Sequence, residues 1–149
     1  MVISLVACGS AHPAPVSPVA RPPKLQLAVI PADSDAFPRL AEAVSASLAA
    51  AKVSGIDETR VSKVSLEVVQ LSIECVDPTS ACYEAIGRSL SANRLLFARI
   101  DSANRRRLKI TVTLFDVDAK AATRSQHKVF ASEDDAAAGC AALVAEVAR

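Results

Sequence analysis

Four cysteines, two histidines and one run of three arginines are the residues of this 149-residue chain whose types could do chemistry. Cys75 and Cys82 bracket Asp77-Pro78, which reads as a helix start with Asp77 at the N-cap and Pro78 at the first helical position. A residue just before a cap packs on the fourth helical residue, here Val76 on Ala81. The two cysteines lie one position further out on each side, so they can meet. A disulfide closing so short a loop would contribute roughly 2–3 kcal/mol in an oxidising compartment. Free thiols are the second reading. A metal pair is the third, but it wants C-x2-C spacing and more ligands than His12 and His127 can add. Cys140 falls on the apolar stripe of a C-terminal helix and reads as a small buried hydrophobe. A Cys140–His127 pair for nucleophilic catalysis lacks any local signature. Arg105, Arg106 and Arg107, with Lys109 nearby, make a basic hairpin tip. That tip is a candidate site for an anionic ligand, with a solvated turn as the plain alternative. Asp116 and Asp118 could hold a cation, though "DVD" at a strand end is ordinary turn chemistry. Neither GxxxxGK nor GxGxxG occurs, and with only four glycines there is no phosphate loop.

The fourth cysteine, Cys8, stands apart. It follows the apolar, uncharged run "MVISLVA" and precedes the small residues Gly9 and Ser10. Leu5-Val6-Ala7-Cys8 resembles a bacterial lipobox, in which the cysteine thiol is lipidated and the chain is cleaved before it. The resemblance implies that residues 1–7 are a signal-peptide remnant and that Cys8 anchors the chain to a membrane. No positive residue precedes the apolar run, so a true start upstream of Met1 is expected. Residues 8–23 continue as "CGSAHPAPVSPVARPP", with five prolines and no acidic residue, an extended semi-rigid tether. Gly9 stands where an aspartate often accompanies inner-membrane retention, which favours the outer membrane.

The elements that must position the rest begin at Lys24. "KLQLAVIP" reads as a buried strand ended by Pro31. In the next segment Leu40, Val44, Leu48 and Ala51 share a helical face, with Phe37 at the entry and Gly55 at the exit. "VSLEVVQLS", Val64 to Ser72, is rich in β-branched residues and reads as a second strand. A second helix follows Asp77, with Cys82, Ile86 and Leu90 on its buried stripe. Residues 93–101 read as a third strand and "SANRRR" as a polar turn. Residues 108–118 form the clearest alternation, with Leu108, Ile110, Val112 and Leu114 on one face. "AKAAT" reads as a turn, and Arg124 to Ala131 as a polar edge strand. The last helix is capped by Ser132 and carries Glu133, Asp134 and Asp135 in its first turn, where they complement the helix N-terminus. The order βαβαβββα makes residues 24–149 one α/β (α+β) domain, a mixed sheet of about five strands with helices packed against it.

Composition narrows the function. The formal net charge is +1, half the residues are hydrophobic and only 3% are aromatic, with no Trp. That balance gives no polyanion-binding surface and little to stack on bases or sugars, so no nucleic-acid partner is expected. No run of 18 apolar residues exists to span a bilayer as a helix.

The segments "KLQLAVIP", "IECVDPTSACYEAIGRSLSANRLLFARI" and "LKITVTLFDVDAKAATRSQ" together resemble the amino-terminal α/β domain of the TolB and CsgG type. Ser91-Ala92-Asn93 stands where that pattern often has Gly-Ala-Asp, and Ala122 where a glycine often ends the turn. The resemblance spans about residues 24–131. It implies a periplasm-facing, non-enzymatic domain used in protein assemblies and supplies no catalytic residues.

The expectation is a lipid-anchored envelope module that binds another envelope protein, without cofactor or metal. Its docking edge would be the fifth strand, with Arg124, His127 and Lys128 on it. The alternatives are an accessory binding a small or anionic ligand through the arginine tip and, more remotely, a hydrolase or redox enzyme.

Overall fold

The computed structural model describes residues 23–75, 77–104 and 107–149. Among these residues nine elements follow one another. They are β1 (Gln26–Val29), α1 (Pro38–Ala50), β2 (Glu58–Val61), α2 (Leu66–Ser72), α3 (Ser80–Ser89), β3 (Arg94–Asn104), β4 (Arg107–Asp116), β5 (Ala121–Phe130) and α4 (Glu133–Ala148). The five strands make one sheet in the order β2-β1-β3-β4-β5. The β1 strand pairs in parallel with β2 and β3, while β3-β4-β5 is an antiparallel meander. The α/β class and the five-stranded mixed sheet are as the sequence pattern predicts.

The element order departs from expectation at one place. Val64 to Ser72, expected as the second strand, contains helix α2 instead, and the strand lies earlier at Glu58–Val61. Leu66 and Val69 are buried and Ile73 is partly buried, a spacing of three and four that only a helix presents to one side. Local periodicity overrides the β-branched content. The true β2 is polar because it is a sheet edge with little side-chain burial. The order is therefore βαβααβββα.

Right-handed crossovers put α1 on one face of the sheet and the α2–α3 pair on the other. The first face is the larger core. Leu27, Val29, Leu96, Ala98, Ile110 and Val112 meet Leu40, Val44 and Leu48 of α1 and Cys140, Leu143, Val144 and Val147 of α4. The second face packs Ala28, Ile30, Leu95, Phe97, Phe115 and Val117 against Leu66, Val69, Cys82 and Ile86. Helix α4 begins as expected. The Ser132 hydroxyl accepts from the Asp135 backbone N–H at 3.2 Å and donates to its carboxylate at 2.8 Å.

Helices α2 and α3 close the same way. After α2, Glu74 adopts φ +55°, and Cys75 N–H donates to the Gln70 carbonyl. After α3, Ser91 adopts φ +53°, and Ala92 N–H donates to the Gly87 carbonyl. Each is a left-handed closing turn of the kind glycine usually occupies. That accounts for the glycine often found where Ser91 stands. Asn93 then fastens three strands. Its side-chain oxygen accepts from Gln26 N–H, its carbonyl accepts from Val117 N–H, and its amide donates to Asp118 at 3.1 Å.

Candidate functional site

The candidate residues fall on separate surfaces. Cys8 and all of the tether but Pro23 lie outside the described residues, as do Arg105 and Arg106. Arg107 is exposed at the start of β4, and Lys109 is half-buried two residues on, opposite Asp101 of β3. Cys75 and Cys82 are paired as a disulfide with Cα atoms 5.6 Å apart. The positive φ of Glu74 turns Cys75 back toward the first turn of α3. Asp77 and Pro78 are not the cap and first residue of that helix. The helix starts later, at Ser80, and Thr79 is its cap, its hydroxyl accepting from Cys82 N–H at 3.2 Å. The shift leaves Asp77-Pro78 in the loop that the disulfide closes.

Cys140 is buried between α1 and α4, with its sulfur 3.3 Å from the Ser47 hydroxyl. His127 pairs with Thr111, whose side chain alternates to the opposite face of the sheet from the Ile110 and Val112 that pack near Cys140. The sheet thus separates the two, and no nucleophile–base pair forms. Asp116 and Asp118 are occupied by structure. Asp116 accepts from Ala119 N–H across the turn and pairs with Arg94 at 2.8 Å, and Asp118 holds Asn93. Among the described residues no group of three or more His, Cys, Asp or Glu side chains is placed to hold a metal ion.

Two surfaces remain. The first is β5. It runs from Ala121, so residues 121–123, expected as turn, belong to the strand, with a bulge opposite Leu114/Phe115. Every residue from Ala121 to Val129 is exposed, and Phe130 alone is buried. Its outer edge pairs with no strand among the described residues.

The second is a cleft that sequence reading did not find. The chain leaves β1 over one face of the sheet into α1 and leaves the neighbouring β2 over the other face into α2, so the two crossovers diverge at the adjacent carboxyl ends of β1 and β2. A cavity of about 350 Å³ opens there, lined by Asp33 after β1, Glu67, Gln70 and Leu71 of α2, Tyr83 of α3, and Arg99 and Asp101 of β3. Tyr83 leans on Phe97 and Phe115, with ring centroids 4.8 and 5.4 Å away. The only sequence signal was the alternating pattern of β1 and β3, since topology and not motif gathers these residues.

Together these features define an open mixed α/β sheet with helices on both faces, a free meander edge and a switch-point cleft. No protein-family model and no curated protein matches the chain. Solved structures do resemble it. The LpoB C-terminal domain from Salmonella enterica is 17% identical with a TM-score of 0.46, over 71% of this chain and 82% of that one. A PelC dodecamer structure from Paraburkholderia phytofirmans is 15% identical with a TM-score of 0.47, over 84% and 88%. TolB from Acinetobacter baumannii is 13% identical with a TM-score of 0.44, over 85% of this chain and 28% of that one. The resemblance to TolB expected from the sequence is thus found among them. The fold class itself rests on the strand order and packing described above.

Proposed function

We propose that the chain is a lipid-anchored, non-catalytic module of the bacterial envelope, facing the periplasm and most simply held at the outer membrane. In this reading residues 1–7 are removed, Cys8 carries the lipid, residues 8–23 are a tether, and residues 24–149 capture another envelope protein. The observation that carries the binding role is β5. Ordering a strand costs roughly 1–2 kcal/mol per residue in backbone entropy, and this one is held by its ladder to β4 and a single buried side chain. A partner strand on its outer edge would supply the missing pairing through main-chain hydrogen bonds. Arg124, His127 and Lys128 discourage self-pairing meanwhile.

Adjacent N–H groups of a strand point to opposite sides, so prolines at His127 and Lys128 probe the two edges of β5 separately. One variant should lose helix and sheet signal in circular dichroism. The other should keep the fold yet lose the partner that wild-type protein retains after crosslinking in native cells. Retention of the partner by the variant that keeps its fold, or turnover of an ester, phosphate or thiol substrate dependent on Cys140 or His127, contradicts this reading. The anchor is tested apart from it. Expressed with its native upstream region, the protein should incorporate labelled palmitate, and Cys8→Ser should abolish the label. Equal labelling of the serine variant excludes Cys8 as the anchor.

A further inference from the structure

We propose that the switch-point cleft is a second binding site, independent of β5, for a short segment of a partner protein that presents a lysine or arginine beside an apolar residue. Charge is the first reason. Asp33, Glu67 and Asp101 line the cleft against one cation, Arg99. Arg99 Nη2 lies 4.0 Å from Asp101 Oδ1, while Asp33 and Glu67 make no ion pair with any described residue. Among the described residues, two carboxylates at the cleft therefore have no counter-charge. Tyr83 lines the same space, and an aromatic side chain there adds to the attraction for a cation.

The apolar component lies at the rim. Leu71 lines the cleft and is 66% exposed, Val68 is exposed one turn earlier on the same helix face, and Val64, just ahead of the helix, is exposed as well. This helix face is turned away from Leu66 and Val69, which hold α2 to the sheet, so it adds nothing to the core. Val61, at the end of β2, is exposed as well. A free small cation would fill the cavity and leave that rim in water. A peptide covers both, its cation inside and its apolar neighbour on Leu71 and Val68. The volume suits one or two side chains, at the lower end of ordinary ligand sites.

The test is a titration of the isotope-labelled full chain, disulfide intact, followed by amide chemical shifts. The probes are the blocked hexapeptide GLKVLG, its glutamate counterpart GLEVLG, and spermidine. The lysine peptide should give saturable shifts at Glu67, Leu71, Tyr83, Arg99 and Asp101, and bind at least tenfold more tightly than the glutamate peptide. The double variant Asp33→Asn, Glu67→Gln should lose at least tenfold in affinity. Leu71→Ser should weaken the peptide and leave spermidine unchanged. All three substitutions replace exposed side chains, so the fold should persist. Absence of binding at millimolar peptide overturns the proposal, as does equal binding of the glutamate peptide. Shifts confined to β5, or spermidine binding as tightly as the peptide with Leu71→Ser silent, also overturn it. None of these results bears on the β5 prolines, so the two readings fail separately.

Discussion

Gly87→Ala is expected to destabilise the domain by about 2 kcal/mol, although the same change on an exposed helix surface stabilises by about 1 kcal/mol. The reversal comes from Val117. A Cβ built on Gly87 collides with both methyl groups of that side chain, and Val117 Cβ itself lies 3.1 Å away. Valine is branched at Cβ and stiff at χ1, so it gives way only at a cost. Overpacking of this kind costs roughly 1–3 kcal/mol, and here it acts where α3 meets the end of β4. Urea unfolding of Gly87→Ala, Val117→Ala and the double variant measures the effect. The double variant should be more stable than the sum of the two single losses predicts, because the smaller residue admits the new methyl. A single variant at or above wild-type stability would mean that α3 lies further from the sheet than described.

Loss of the Cys75–Cys82 disulfide should cost about 2–3 kcal/mol, from the entropy that so short a closed loop removes from the unfolded chain. The expected site of damage is local. Helix α2 has only seven residues, holds to the sheet through Leu66 and Val69, and would fray first once Cys75 is released. Cys75→Ser, Cys82→Ala protein should therefore show a lower urea midpoint and faster proteolytic cleavage around residues 73–79. Peptide mapping without reductant should recover the two cysteines joined in protein made in the periplasm. Full alkylation of both in that protein would exclude the bond there.

Much of this architecture was legible in residue spacing. The alternation of Leu108, Ile110, Val112 and Leu114 marks β4, and the stripe Leu40, Val44, Leu48 marks α1, because each faces a full core. Failures occurred where burial is slight. The four residues of β2 sit at a sheet edge and carry Glu58 and Arg60, which pair with each other at 2.7 Å, so no alternation of polarity exists to be read. Helix α2 is short, and the exposed Val68 within it and Val64 just before it mimic strand composition. Asp77-Pro78 has the chemistry of a helix start, yet Thr79 does the capping. Of the two candidate surfaces, β5 was visible as a polar strand. The cleft was not, since Asp33, Glu67 and Asp101 come from three elements that meet only through strand order.

That strand order also governs how the chain matures. A growing chain emerges from its N-terminus, and β1 and α1 appear first, carrying Leu27, Val29, Leu40, Val44 and Leu48. Their cover comes from β3 and, later still, from α4, through Leu143, Val144 and Val147. Until that helix docks, the larger core stands open to water. Nascent chains must be shielded from aggregation until α4 has emerged, and a product truncated before Glu133 keeps all five strands while displaying the apolar surface that cellular proteases recognise.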